Sequence, residues 1–229
     1  IKGSNSRRVG RMQKAGSAVM KISQIPSMLI VARYNEDIKW LNEVKIPCVV
    51  YDKGEPSENG VSLENFGFDT DTHLTFIIEN YEKLPWRVFF AQGDPFYHAP
   101  DFMYWLNKWS DCGVVQSGAP IFRLAPINTH WREESDNHSE LAPFVKQTWT
   151  ELFGVDMPEM IYYPAGQMFG YSAKRIRARS LESWIQIRDR IRNPSFEARC
   201  NHPVGHYGAK CSCLSTFSPH CIERLWFYL

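Results

Sequence analysis

Several features that would place this chain in a large class of proteins are missing. No apolar run in its 229 residues reaches the roughly 18 that a membrane-spanning helix requires. No apolar segment follows the basic groups near the start, so the pattern of a secretory signal is absent. Neither charge dominates: 26 Lys+Arg face 25 Asp+Glu, and a net charge of +1 argues against a strongly basic nucleic-acid binder. There is no internal repeat. Cysteine is sparse and lacks zinc-knuckle spacing, since Cys211-Ser-Cys213 has one intervening residue and no second spaced pair matches it.

What is present suits a folded domain. Hydrophobic residues make up 44% and charged residues 22%, an ordinary balance for a chain able to bury a core. Aromatic residues reach 14%, a share that suits sugar stacking and a dense core equally. The first 25 residues carry Lys2, Arg7, Arg8, Arg11, Lys14 and Lys21 with no acid, and the rest of the chain is therefore net acidic. Segment 1–26 reads as a basic tail, disordered or vector-derived, and 27–229 as a single catalytic domain. A start without Met and an end inside an apolar helix at Leu229 fit one domain of a longer protein. Cys200, Cys211, Cys213 and Cys221 crowd together with His202, His206 and His220. They leave three readings open: free thiols, structural zinc or a disulfide. Without a secretion signal, a reducing compartment fits better.

Short apolar runs alternate with helix-period runs. MLIVA at 28–32, IPCVVY at 46–51, RVFFAQ at 87–92 and CGVVQS at 112–117 read as buried strands, with further strand in MIYYPAGQMFGYS. A short helix is expected after Asn35-Glu36-Asp37. Longer ones are expected over 70–83, 101–109, around Leu141–Leu152 with Gly154 as its stop, near 173–179, over 181–192 and over 219–228. This alternation predicts an α/β fold, a mostly parallel central sheet with helices on both sides. Such sheets bind ligands beyond the carboxyl ends of their strands.

Those ends carry Arg33, Tyr34 and Asn35, then Asp52, Lys53 and Gly54, then Gly93 and Asp94. An acid beside a base at adjacent strand tips can hold a nucleobase edge and neutralise a diphosphate. A carboxylate on the third strand can hold Mn²⁺ or Mg²⁺ against the same phosphates. Asp94, after Gly93, is the preferred metal ligand. Asp69 and Asp71 are the runners-up, because their place before the helix at 70–83 suits capping instead. His98 is a second polar group near Asp94. Gln167, His206 and Trp131 are weaker candidates for donor or acceptor sugar. Trp105 and Trp109, one helical turn apart, read as core. No catalytic base is assigned, since Glu133, Glu134, Asp136 and Asp156 all read as surface residues.

VARYNEDIKWL at 31–41 resembles the first strand and helix of GT-A glycosyltransferases, and YDKG at 51–54 stands where those enzymes keep an acid for uracil. Asn65-Phe66-Gly67 is similar to their Asn-X-Gly element, and QGDPFYH at 92–98 lies where a metal-binding Asp-X-Asp is expected. The run from Val31 to Phe102 resembles more closely the small GT-A domains encoded by chlorella viruses, part of a wider viral and fungal family. PAGQMFGYSAKRIRARS at 164–180 and the terminal CIERLWFYL resemble its later landmarks.

The resemblance implies a GT-A-like (Rossmann-like) fold, a UDP-sugar donor such as UDP-glucose, and Mn²⁺ or Mg²⁺. It further implies a glycan acceptor on a capsid protein and a place in the cytoplasm of an infected host cell. The donor site it implies comprises Ala32, Arg33, Tyr34, Asn35, Asp52, Lys53, Asn65, Gly67 and Gly93, with the metal on Asp94. Two departures stand out: Phe68 and Asp69 replace the family's basic–acidic pair, and QGD keeps one acid. The alternatives are a non-catalytic nucleotide- or sugar-binding module of the same fold and a zinc-stapled interaction domain.

Overall fold

The computed structural model describes residues 25–111, 124–128, 142–192, 218–226 and 228–229. The expected strand at 112–117 lies outside them. So do Trp131, Glu133, Glu134, Asp136, His202, His206, and the cysteines at 112, 200, 211 and 213.

The strands are β1 (Ser27–Arg33), β2 (Cys48–Asp52), β3 (Val61–Ser62), β4 (Arg87–Gln92), β5 (Leu124–Asn128), β6 (Met160–Pro164) and β7 (Phe169–Ser172). The helices are α1 (Phe68–Asn80), α2 (Phe102–Asp111), α3 (Ala142–Phe153), α4 (Ala173–Arg177), α5 (Leu181–Arg192) and α6 (Ser218–Leu225). A five-stranded sheet runs in the order β3-β2-β1-β4-β7, and β5 pairs with β6 in a separate antiparallel ribbon. The β1–β2, β2–β3 and β1–β4 pairs are parallel, while β4–β7 is antiparallel. The fold is therefore α/β with a mostly parallel sheet.

The continuous apolar run of β1 has a physical reason. As the central strand it is covered on both faces, and alternate residues enter different cores. Met28 and Ile30 pack on one side with Leu74 and Ile77 of α1, Trp184 and Ile187 of α5, and Trp226 just after α6. Leu29 and Val31 pack on the other with Phe102 and Leu106 of α2. Helices thus cover both faces.

Most expected elements fall where periodicity put them. The helix after Asn35 does not form; a 3-10 turn over Lys39–Glu43 replaces it. Its would-be capping side chains are engaged elsewhere, Asn35 Oδ1 accepting from Glu55 N at 2.8 Å and Glu36 Oε2 from Tyr34 N at 2.7 Å. The boundary drawn after residue 26 sits late. Ile25 is buried, and the carbonyls of Ile25 and Pro26 accept from Trp86 N and Arg87 N, so both residues belong to the folded body.

Candidate functional site at the carboxyl edge of the sheet

From β1 the chain moves outward through β2 to β3, then returns to place β4 on the other side of β1. The carboxyl ends of β1 and β4 therefore flank the point where strand order reverses, the crevice in which open α/β sheets bind ligands. Ala32 pairs with Tyr51 on one side and Gln92 on the other, which sets Arg33 and Asp52 side by side at the tips of β1 and β2. β7 runs the opposite way, so the residues before it, Gly166 and Gln167, reach the same edge.

The tips of β1 and β2 are bound tightly to each other. Arg33 Nη1 donates to Asp52 Oδ1 and to Glu55 O, each at 2.7 Å. Asp52 is buried, and its Oδ2 accepts from Ser57 N at 2.8 Å and Ser57 Oγ at 2.7 Å. Gly54 passes so close to β1 that a Cβ there would collide with the Tyr34 carbonyl oxygen. At the tip of β4, a Cβ on Gly93 would lie 2.5 Å from Glu36 Oε2, and the Gly93 carbonyl accepts from Trp40 Nε1 at 2.8 Å. As placed, Arg33, Asn35, Asp52 and Gly93 lock three loops together. The ring of Tyr34 is left 44% exposed beside them.

Lys53 turns inward. Its ammonium donates to the carbonyls of Phe66 (2.5 Å) and Phe68, and burial holds it down at about 8. It thereby clamps the turn that starts α1, where Gly67 (φ 66°) and Phe68 (φ 49°) are both left-handed. Asn65 lies half-buried in the same turn.

Neither Asp69 nor Asp71 caps α1, contrary to the capping expectation. Gly67 occupies the cap position without a side-chain bond. Asp71 is wholly buried and receives Arg192 of α5 through two bonds, Nε to Oδ1 at 2.7 Å and Nη2 to Oδ2 at 2.5 Å. That pairing takes it out of contention as a metal ligand. Asp69, crowded by protein yet partly exposed as a residue, accepts at Oδ2 from Gln92 Nε2 at 2.9 Å. Burial pushes its carboxyl up to about 7, against the pull of that bond and of Lys53; Glu223 and Glu36 push it further up. Asp94 is exposed, with Oδ1 accepting from Phe96 N at 3.1 Å in a tight turn. Among the described residues no group of three or more His, Cys, Asp or Glu is arranged to hold a metal ion.

The segment before β7 adds Gln167. It is 4% exposed, and its Oε1 accepts from Thr70 Oγ1 at 2.7 Å and Trp226 Nε1 at 3.2 Å. His98 packs on Gly166, and the Tyr97 ring beside it is 77% exposed. Trp105 and Trp109 stack on each other, half-buried against the α2-side core. Asp156 is exposed, as a surface residue would be.

The structure thus gathers Ala32, Arg33, Tyr34, Asn35, Asp52, Lys53, Gly67, Asp69, Gly93, Asp94 and Gln167 along one edge. Sequence reasoning passed over Gln92, Thr70 and Trp226. The first had a legible signal, a polar residue closing an apolar strand. The other two did not, because their roles depend on which segment meets which.

Fold and site together define an α/β protein with a cluster of polar side chains at the switch point of a mostly parallel sheet. A family model described as "Protein of unknown function (DUF3431)" matches residues 29–205, and the chain belongs to that family. No curated protein and no solved structure matches it.

Proposed function

We propose that the chain binds a nucleoside-diphosphate sugar, UDP-linked as the GT-A resemblance implies, at this edge and transfers the sugar to a glycan acceptor. One observation carries the reading. Four segments, 33–36, 67–70, 92–98 and 166–167, converge at the switch point between β1 and β4, and each brings polar or aromatic side chains. The exposed rings of Tyr34 and Tyr97 offer flat faces for a base and a sugar.

Among the described residues the cations there are already engaged, Arg33 with Asp52 and Lys53 with two carbonyls. A diphosphate would therefore need a counter-ion of its own. The described residues fit a divalent cation that arrives with the nucleotide: one carboxylate, Asp94, keeps an oxygen free, and phosphate oxygens would complete the shell, as Mg²⁺ commonly binds. Such an ion supplies neutralisation of the departing diphosphate. The protein's own part is to hold the loops rigid through Arg33, Asp52 and Lys53 and to present Asp69, Gln92 and Gln167 to the donor.

The test is calorimetric titration of UDP with Mn²⁺ and then with EDTA, on the wild type and Asp94→Asn. Binding that needs Mn²⁺ and weakens at least about tenfold in the variant supports the reading. Absence of binding in both conditions overturns it. The small number of acids favours a second reading, a nucleotide-sugar binder without turnover. Released UDP in the presence of glycan acceptors separates the two.

A further inference from the structure

The Gln167 side chain can be oriented without ambiguity. An indole N–H only donates, so the atom that Trp226 Nε1 meets must be the amide oxygen, and Thr70 Oγ1 donates to the same oxygen. The Gln167 NH₂ is therefore turned away from both partners. Among the described residues it has no acceptor, and it is not one of the buried polar atoms left without a partner, so the small exposed part of Gln167 includes this NH₂.

The backbone here is held in an unfavourable form. Gln167 (φ 55°) and Phe68 (φ 49°) are the two non-glycine residues with positive φ among the described residues. They lie on two segments joined by the Thr70–Gln167 bond, and Phe68 immediately precedes Asp69. Strain of this kind persists where surrounding contacts over-determine it, and it gathers at ligand sites.

Asp69 uses Oδ2 for Gln92, and its Oδ1 has no donor among the described residues; the same holds for Gln92 Oε1. The 165–167 turn packs against β4, which carries Gln92. Among the described residues the cluster thus offers two acceptor oxygens and one NH₂ donor but no free cation. Lys53 faces it from just after β2 with its ammonium engaged by carbonyls. Glu36 after β1 adds negative charge, Glu223 of α6 is paired with Arg224, and Asp71 is paired with Arg192. Phosphate, an anion that only accepts, is repelled by this set. Neutral hydroxyls, which donate and accept at once, match it.

We propose that Asp69, Gln92 and Gln167 form the subsite for the hydroxyls of the transferred sugar. Ring hydroxyls donate to Asp69 and Gln92, and one accepts from Gln167. The inference rests on the donor reading above and names which part of the donor lies here. It also gives Asp69 to the sugar and leaves the nucleotide-borne metal to Asp94.

Hydroxyl recognition reads out as discrimination between epimers. The experiment titrates UDP and a panel of UDP-sugars (glucose, galactose, xylose, N-acetylglucosamine) into the wild type, Asp69→Asn and Gln167→Glu, all with Mn²⁺. Gln167→Glu keeps an oxygen for Thr70 and Trp226, replaces the donor by a second acceptor oxygen and adds a negative charge. Thermal melts check folding, and Asp69→Asn, which is isosteric, carries the test if the other variant unfolds. The expected result is a preference for one sugar over its epimer of about tenfold or more in the wild type, flattened in the variants. A preference that survives in both variants overturns the subsite. So does wild-type UDP binding with no preference among the sugars, which leaves the nucleotide reading standing. Binding of neither UDP nor any UDP-sugar overturns both.

Discussion

Two residues apart on α1, Asp69 and Asp71 sit in opposite electrostatic settings, and only one of them is matched by a cation. Asp69 carries a stability consequence that can be measured without any ligand. Its carboxyl titrates at about 7 in the folded chain, above the ordinary 3.8. Between those values the folded state holds a proton that the unfolded chain has released, so stability falls as pH rises through that window and stays lowered above it. Asp69→Asn removes the penalty. The variant should be more stable than the wild type by about 1 kcal/mol or more at pH 8, and the gain should fade by pH 4. Urea denaturation at the two pH values checks this. An equal difference at both would show that Asp69 does not titrate as described. A natural residue that weakens its own fold is the usual mark of a site kept for binding.

At the scale of elements, the Asp71–Arg192 pair fastens the start of α1 to the end of α5 and thereby fixes the direction in which Asp69 leaves the helix. The pair is unsymmetrical: the Asp71 side chain is 0% exposed and that of Arg192 29%. Removing the outer partner leaves a wholly buried carboxylate with only the longer contact to Arg188 Nε, 3.8 Å from its Oδ1. Removing the inner charge releases an arginine that water can reach. Arg192→Ala should therefore cost up to about 3 kcal/mol, the low end for a broken buried pair because Arg188 remains, and Asp71→Asn less. Chemical denaturation midpoints give the order, and equal costs would mean that the clasp contributes chiefly packing. Lys53 makes the neighbouring connection, from the end of β2 to the left-handed turn at Gly67 and Phe68. Both connections run between segments far apart in sequence. Residue spacing therefore placed Lys53 and Asp71 near the site but could not show that each was already engaged.

For the molecule as a whole, the sheet was legible because its strands are buried on both faces and read as unbroken apolar runs. β1 and β4 are the clearest cases. β3, with two residues, gave no signal, and the direction of β7 could not be read because an antiparallel edge strand looks the same from either end. The site was legible up to the strand tips. It was not legible at Thr70 and Trp226, whose roles depend on which segments meet, and Gln167 read only as a weak sugar contact because its place comes from a strand reversal. Burial also predicts the chemistry of two thiols. Cys48 and Cys221 are both free, and burial pushes each up to about 12. They should resist alkylation by iodoacetamide in the native protein and react on unfolding, as peptide mapping by mass spectrometry would show. Native labelling at Cys221 would mean that α6 opens from the core.

The reversed direction of β7 has a bearing on how this protein could be re-engineered. In a purely parallel sheet, altering ligand preference means varying the loops that follow the strands. Here the useful library would straddle a strand instead, randomising positions just behind β4 and just ahead of β7. The chain that leaves β7 passes straight into α4 at the opposite rim, away from the positions such a library would vary.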